Sequence, residues 1–519
     1  MASVREVTLD LLRSLGMRHV FGNPGSTELT FFRDFPADFS YVLGLQESVV
    51  VGMADGFAQA THNAALVNLH SAVGVGHAMG NLFTAYRNRT PLVVTAGQQS
   101  RSLLPLEPFL FSSRPTELPQ PYVKWAVEPA RPEDVPRAIE RSYHVAMTPP
   151  RGPAFVSIPI DDWDAPCEPL ASRRVDGVQR ADAAALARLG GALARSQRPV
   201  FVVGAAIDRD RAWPDIVRLA EMHGALVWAS PLIGRCGFPE DHALFAGFLP
   251  AFREQIRARM EGHDLVVAFG AQVFTYHAEG SGPYVPEGLA VHQVTEDPDW
   301  AASAVLGEAI VGNVGAALRE LVAMGRPGAP AAQRGRKPAP RLPLADPLTD
   351  ALLLQTLADL RTPDSIIVEE APSTREPMHD YLPILRPETF YTCSSGGLGH
   401  ALPAAVGVAL ARPGARVIAL LGDGSAMYSI QALWSAAQLG LPITVVIVNN
   451  GGYAALQSFS KRFGLAEPVG TRLGGIDFVQ LASGQGCAAL RVTKAAELHD
   501  ALSRALAARG RVLVDVHVA

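Results

Sequence analysis

Short runs of Val, Ile and Leu recur along the whole chain, and between them lie amphipathic stretches long enough for helices. A strand buried on both faces has no polar alternation, so this rhythm is what parallel sheets covered by helices on both sides demand. HVFG, YVLGL, ALVNLH, PLVVTA and AFVSIP supply strands in the first third, with helices expected over 47–60 and 132–147. PVFVVG, ALVWAS, DLVVAFG and LAVHQV supply a second group, and SIIVEE, RVIALLGDG, PITVVIVNN and VLVDVHV a third. The fold class is therefore α/β, with three doubly wound parallel-sheet domains expected at 1–180, 181–340 and 341–519. The first boundary falls in a polar, irregular stretch over 164–180. The second falls in GRPGAPAAQRGRKPAPRLPLADP, whose Pro, Gly, Ala and Arg residues cannot bury a face of their own.

At 519 residues the chain exceeds what one core supports, which agrees with several domains. Charged residues make up 18% and the net charge is −5, so there is no basic field to attract nucleic acid. The longest apolar runs fall well short of a membrane span, and MASVREVTLDLLRSLG reads as an amphipathic helix rather than an export signal. Cys167, Cys236, Cys393 and Cys487 stand far apart, a pattern that suits neither a zinc site nor a disulfide framework. A small-molecule enzyme of the reducing cytoplasm, with no membrane or nucleic-acid partner, is the expectation.

Two loops carry the chemistry. GDGS, Gly422 to Ser425, directly follows the strand run RVIALL, and NNGGY, Asn449 to Tyr453, directly follows PITVVIV. In open parallel sheets ligands bind at the carboxyl ends of strands, so the two loops can face one ligand if their strands are neighbours. Asp423 offers a carboxylate oxygen, Asn450 an amide oxygen and Gly452 a backbone carbonyl, a set that suits Mg²⁺ held with a diphosphate. Gly422, Gly424 and Gly451 let the backbone approach phosphate oxygens, and a helix expected to begin near Ser425 would aim its N-terminus at them. Either loop alone reads as a tight turn. Together, with residues 425–448 between Gly424 and Asn449, they match the signature of thiamine diphosphate (ThDP) enzymes.

The resemblance widens from there. VFGNPGSTEL, LQESVVVGMADGFAQA, NLHSAVGVGHAMGNL, PLVVTAGQQ, GAQVFTYH and CSSGGLGHALPAAVG, spread over all three expected domains, resemble the benzoylformate decarboxylases, ThDP-dependent 2-keto acid decarboxylases. The resemblance implies non-oxidative conversion of a 2-keto acid, foremost benzoylformate in mandelate breakdown, to an aldehyde and CO₂, with ThDP and Mg²⁺, for which Ca²⁺ can substitute. It implies that Glu47 activates the aminopyrimidine, that Leu398 wedges beneath the cofactor, and that the Gly396 carbonyl accepts from its 4′-amino group. Gly422, Asp423, Gly424, Ser425, Asn450, Gly452 and Tyr453 would bind the cofactor, with Asp423, Asn450 and Gly452 on the metal.

By the same resemblance Ser26, His70 and His277 handle substrate and protons, and imidazole titrates in the range that proton transfer at neutral pH needs. Phe109, Leu110, Leu456 and Phe459 match the apolar pocket lining. The site would be shared between subunits of a homo-oligomer, a dimer within a tetramer. FLFSSR stands where pyruvate and indolepyruvate decarboxylases carry a histidine pair, and Thr392, Ala371-Pro372 and Ser458 depart from the aryl-specific pattern, which has an aromatic residue at 392. Two other readings stay open: a ThDP carboligase or lyase of benzaldehyde-lyase or acetolactate-synthase type, and a non-catalytic nucleotide-binding scaffold. The second has weak support, because no GxGxxG follows PVFVVG.

Overall fold

A computed structural model describes residues 1–272, 275–325, 333–466 and 468–519. The chain opens with β1 (Ala2–Ser3), which pairs antiparallel with β8 (Pro166–Cys167). Between them lies the first sheet: β2 (His19–Gly22), β3 (Ser40–Leu43), β4 (Ala65–Leu69), β5 (Leu92–Gln98), β6 (Ala126–Val127) and β7 (Pro153–Pro159), in spatial order β3-β2-β4-β5-β7-β6. The second comprises β9 (Pro199–Val203), β10 (Leu226–Ala229), β11 (Phe245–Phe248), β12 (Leu265–Phe269), β13 (Ala290–Thr295) and β14 (Glu308–Val311), ordered β11-β10-β9-β12-β13-β14. The third comprises β15 (Ile366–Glu370), β16 (Phe390–Thr392), β17 (Val417–Gly422), β18 (Ile443–Asn449), β19 (Ala488–Val492) and β20 (Val512–His517), ordered β16-β15-β17-β18-β20-β19. Every pairing within these three sheets is parallel.

Counted within each sheet, the first and third share one strand order, 2-1-3-4-6-5, while the second runs 3-2-1-4-5-6. The central strands are buried throughout, as β4, β5 and β9 are, because helices cover both faces. Within these three sheets the strands that the apolar runs do not announce are β6, β11, β14, β16 and β19, and each lies at a sheet edge. In four of them burial is only partial, as in Glu308–Val311 and Ala488–Val492, whereas β16 is buried throughout but only three residues long. The helix expected over 132–147 is Val135–Met147, preceded by one tighter turn at Pro132–Asp134.

The first and third sheets meet through two helices, Glu47–Thr61 and Ala401–Ala411. Their backbones touch: a Cβ at Gly56 would lie 2.1 Å from the Ala404 carbonyl oxygen, and one at Gly407 1.9 Å from that of Met53. Larger residues there would push the helices apart. Beside the seam, Asp55 and His400 form a fully buried pair, with Asn88 and Gln59 also donating to Asp55. Burial opposes both charges, yet each outweighs that opposition on its partner, so His400 is held above and Asp55 below its ordinary value.

Residues 326–332 of the Pro/Gly/Ala-rich stretch lie outside the described residues. From 333 to 347 it contains no helix or strand, and it bonds along the second sheet, Gly335 N to Ala243 O at 2.8 Å and Arg336 N to Phe245 O at 2.9 Å.

Candidate active site

In the third sheet β17 and β18 are neighbours, Gly422 opposite Val448, so the loops after them stand side by side. The short helix after β17 is Asp423–Met427 and begins two residues before the expected Ser425, putting Asp423 and buried Ser425 in its only full turn. Asp423 is 3% exposed. Its Oδ1 accepts from Gly424 N at 2.8 Å, while Oδ2 is buried with no hydrogen-bond partner among the described residues. Burial pushes this carboxyl above its ordinary range, against the N–H groups of Gly424, Gly452 and Gly451.

Asn450 Oδ1 accepts from Gly452 N at 3.2 Å, and its Nδ2 donates to Ser373 Oγ, also at 3.2 Å. Gly451 has φ +70, and a Cβ at Gly424 would sit 2.4 Å from the Tyr453 ring. An orphaned carboxylate oxygen, an amide oxygen and bare glycine backbone form a donor set for a hard divalent cation and the phosphates it would carry.

Glu370, last residue of β15, fixes the neighbouring loop. Its buried carboxylate accepts from the N–H groups of Gly399 (2.5 Å), His400 (2.8 Å) and Ala401 (2.7 Å), and burial pushes it up to about 6 despite those donors. The loop so held carries Gly396, at φ +73, and Leu398. Both line a cavity of about 910 Å³, as do His277, Phe459, Ser373 and Arg375. The His277 and Phe459 rings stack at 4.3 Å and 13°. Val273 and Phe274 of GAQVFTYH lie outside the described residues.

A second cluster gathers after β2, β3 and β4. Glu47 heads its helix, 8% exposed, with Asn23 Nδ2 at 3.5 Å from Oε1 and His77 Nδ1 at 3.2 Å from Oε2. His70 follows β4, its Nδ1 2.8 Å from Glu28 Oε2 and 3.0 Å from Thr27 Oγ1. Glu28, 1% exposed, also accepts from Gly25 N, Thr27 Oγ1 and Gly97 N, so it is an acceptor toward every neighbour. That assignment puts a proton on His70 Nδ1 and leaves Nε2 as the ring's variable position. Ser26 is exposed at the rim.

Leu110, at φ +66, accepts from Ser71 Oγ at 2.6 Å, and the Phe109 carbonyl from Gln99 Nε2 at 2.6 Å. The expected residues thus fall into two groups: Ser26, Glu47, His70, Phe109 and Leu110 in the first, and His277, Gly396, Leu398, Phe459, Gly422 to Ser425 and Asn450 to Tyr453 in the second. Of the expected apolar lining only Phe459 is on the cavity wall, while Phe109 is 86% and Leu456 54% exposed. Asn81 links the groups, its Nδ2 donating to Ser48 O at 2.7 Å and to Gly399 O at 3.1 Å.

Sequence reasoning missed Glu28, Glu370, Ser373 and Arg375. Among the described residues one further cluster has metal-binding atom types, buried Cys236, Glu240 and His379. There His379 Nδ1 lies only 2.8 Å from Glu240 Oε1, closer than the ~3.3 Å between two ligands of one tetrahedral zinc, and Cys236 Sγ donates to the same oxygen. It sets the loop between β10 and β11 against the helix Arg375–Tyr381.

Family models for thiamine pyrophosphate (thiamine diphosphate) enzymes match three segments: the N-terminal binding domain at 2–116, the central domain at 186–321 and the C-terminal binding domain at 374–516. A benzoylformate decarboxylase of Pseudomonas aeruginosa is 43% identical over 99% of both chains. A putative acetolactate synthase large subunit of Mycobacterium tuberculosis is 30% identical over 97% of this chain and 96% of its own. The solved thiamine diphosphate-dependent 4-hydroxybenzoylformate decarboxylase of Rhodococcus jostii RHA1 superposes with a TM-score of 0.97 at 42% identity, covering 100% of this chain and 99% of that one.

Proposed function

Because the chain belongs to the thiamine pyrophosphate enzyme family, we propose that it decarboxylates aryl 2-keto acids without net oxidation, benzoylformate to benzaldehyde and CO₂ being the leading case. It is a ThDP-dependent carboxy-lyase of the benzoylformate decarboxylase kind; the acetolactate synthase relative is more distant. The observation that carries the reading is the buried, unpartnered Asp423 Oδ2 beside the glycine-bare Asn450–Gly452 loop, next to a cavity bearing Leu398 and His277.

In this reading Asp423, Asn450 and Gly452 hold Mg²⁺, for which Ca²⁺ can substitute, and through it the diphosphate. Gly422, Gly424, Ser425 and Tyr453 shape the cradle, and Leu398 and Gly396 set the cofactor's posture. When bound, ThDP supplies the nucleophilic carbon and the electron sink. Glu47 holds a proton against the aminopyrimidine. The Ser26 hydroxyl orients the substrate carboxylate, and His70 Nε2 and His277 move protons at the carbonyl carbon and its oxygen. Phe459, with Phe109, Leu110 and Leu456, keeps water from the reacting centre.

Glu47 is not among the residues lining the cavity with Leu398 and His277. We therefore assign its partner cradle to a second copy of the chain, in a dimer or a tetramer of two such pairs. Exposed Leu29, Leu45 and Val73 lie near the first group, and exposed Met427, Tyr428 and Phe463 near the second, as a face covered by another subunit requires. The domain division at 1–180, 181–340 and 341–519 is supported by the confinement of each six-stranded sheet to one segment. No helix among the described residues is long and apolar enough to cross a membrane. The four cysteines are free and buried, which supports a reducing cytoplasmic setting.

The test is direct: protein stripped of cofactor and titrated with ThDP and Mg²⁺ should gain CO₂ release from benzoylformate. Acyloin formation from aldehydes with no CO₂ from any 2-keto acid would overturn the reading.

A further inference from the structure

Residues 393–398 leave β16, line the cavity and are held against the helix Ser71–Asn88. Asn81, Thr84 and Asn88 are spaced three and four apart, so they share one face of that helix, and all three are buried. Asn88 Oδ1 accepts from Ser394 N at 3.0 Å, Thr84 Oγ1 lies 2.8 Å from Ser395 Oγ, and Asn81 Nδ2 donates to Gly399 O at 3.1 Å. A buried polar side chain is costly unless paired, and here each of the three is paired with the loop. These anchors fall on either side of residues 396–398, of which Gly396 and Gly397 are exposed.

Ser395 Oγ joins the anchors to that bulge. It accepts from Gly397 N at 3.0 Å and lies 2.8 Å from Cys393 Sγ, which donates to Gly397 O at 3.1 Å. Thr84 Oγ1 donates to Gly80 O at 3.1 Å, which leaves its lone pairs for the Ser395 hydroxyl proton. The Gly396–Gly397 peptide is trans, so its N–H and C=O point in opposite directions. Because the N–H is drawn to Ser395 Oγ, the Gly396 carbonyl is turned away from that hydroxyl. The bend this needs is φ +73 at Gly396, which a side chain would resist.

From this geometry we infer that Thr84 and Ser395 are positioning residues: through their paired hydroxyls the helix Ser71–Asn88 sets the direction in which the Gly396 carbonyl is offered. The inference rests on the reading above, in which Gly396 sets the posture of the cofactor. The pair acts through the Gly396–Gly397 peptide rather than on substrate.

The test uses the ThDP- and Mg²⁺-loaded enzyme with benzoylformate. Thr84→Val keeps the shape of threonine without its hydroxyl, and kcat should fall by about tenfold or more, since a small misplacement at a reacting centre is costly. The KM for benzoylformate should stay within about twofold, and the near-UV circular dichroism of the bound cofactor should change, a pattern that loss of fold alone would not give. Thr84→Ser keeps the hydroxyl and should hold turnover within about twofold of wild type. Ser395→Ala should match Thr84→Val, and the double variant should be no worse than either, because both remove one contact. Wild-type kcat in either folded single variant, or losses that multiply in the double, would overturn the inference. Should Thr84→Val not fold, Ser395→Ala decides alone: full kcat with an unchanged dichroism spectrum overturns it.

Hydrogen exchange at the Gly397 amide of cofactor-free protein reads the same contact without turnover, and should quicken by about tenfold or more in Thr84→Val but not in Thr84→Ser. If the wild type releases no CO₂ from benzoylformate and exchange follows that pattern, the catalytic reading falls and the positioning of the peptide stands. Turnover in the wild type with no effect of either single variant leaves the catalytic reading and removes this one.

Discussion

The first and third sheets have the same strand order, and each places polar residues after its first and third strands in sequence, yet they hold different chemistry. After β2 and β4 come Gly25 to Glu28 and then His70. At the equivalent places after β15 and β17 come Ser373 and Asp423. These are the switch points where a doubly wound sheet opens a crevice. The first group closes on itself, because Glu28 accepts from Gly25 N, Thr27, Gly97 N and His70. The second stays open, with Asp423 Oδ2 without a hydrogen-bond partner among the described residues and open space beside Gly451. One topology thus yields a closed hydrogen-bonded cluster and an open set of oxygen donors, and side chains alone decide which.

If the two groups divide labour in this way, damage to them must differ in kind. Glu47→Gln should lower kcat by about 10³-fold or more, since the group it removes does proton work, while ThDP affinity measured by calorimetry stays close to wild type. Full turnover would remove Glu47 from the proton group. Asp423→Ala should do the reverse and weaken Mg²⁺-dependent ThDP binding by about 100-fold or more, with activity recovering at high cofactor. Unchanged affinity in that variant would break the comparison at its strongest point.

Much of this contrast can be read in the sequence, and what cannot follows from burial. RVIALLGDG and PITVVIVNN are visible because a strand buried on both faces admits only apolar residues and a phosphate-approaching turn admits only small ones. The edge strands β14 and β19 escape notice because their burial is partial and their composition mixed, and β6 because it is only two residues long. Glu28 escapes for a different reason: an acid just after Ser26 and Thr27 reads as an ordinary helix start, and nothing in its neighbours says that it is 1% exposed. Arg375, in the polar run STREP, resembles surface sequence until the fold brings Glu369 and Thr392 beneath it. Phe109 and Leu456 are legible as apolar but not as exposed, since composition does not say which apolar residues the fold leaves at the surface.

Within the closed group, Glu28→Gln sharpens the picture. The amide keeps the shape of the site but offers a donor where His70 Nδ1–H needs an acceptor, so the ring loses the partner that sets its tautomer. We expect kcat to fall by about 10–100-fold, less than for Glu47→Gln, with KM little changed and the pH profile of kcat displaced. An unmoved pH profile would mean that Glu28 serves the fold alone.

The smallest effect distinguishes the groups by pH. Glu370 sits in the open group's supporting shell, and burial raises it from 4.5 to about 6. The folded protein therefore binds this proton more tightly than the unfolded chain does. Its contribution to stability is complete below about pH 4.5 and is lost as pH rises through about 6, an amount of about 2 kcal/mol for a shift of this size. Glu370→Gln cannot titrate, and the remaining groups, His400 and Asp55 included, are common to both proteins, so the difference between their unfolding midpoints isolates this carboxyl. Whatever the sign of that difference at pH 4.5, it should move against the wild type by pH 7. A difference that stays flat over this range, or moves the other way, would mean that the three N–H donors of Gly399, His400 and Ala401 outweigh burial, and that the open group's shell is as well satisfied as its counterpart around Glu28.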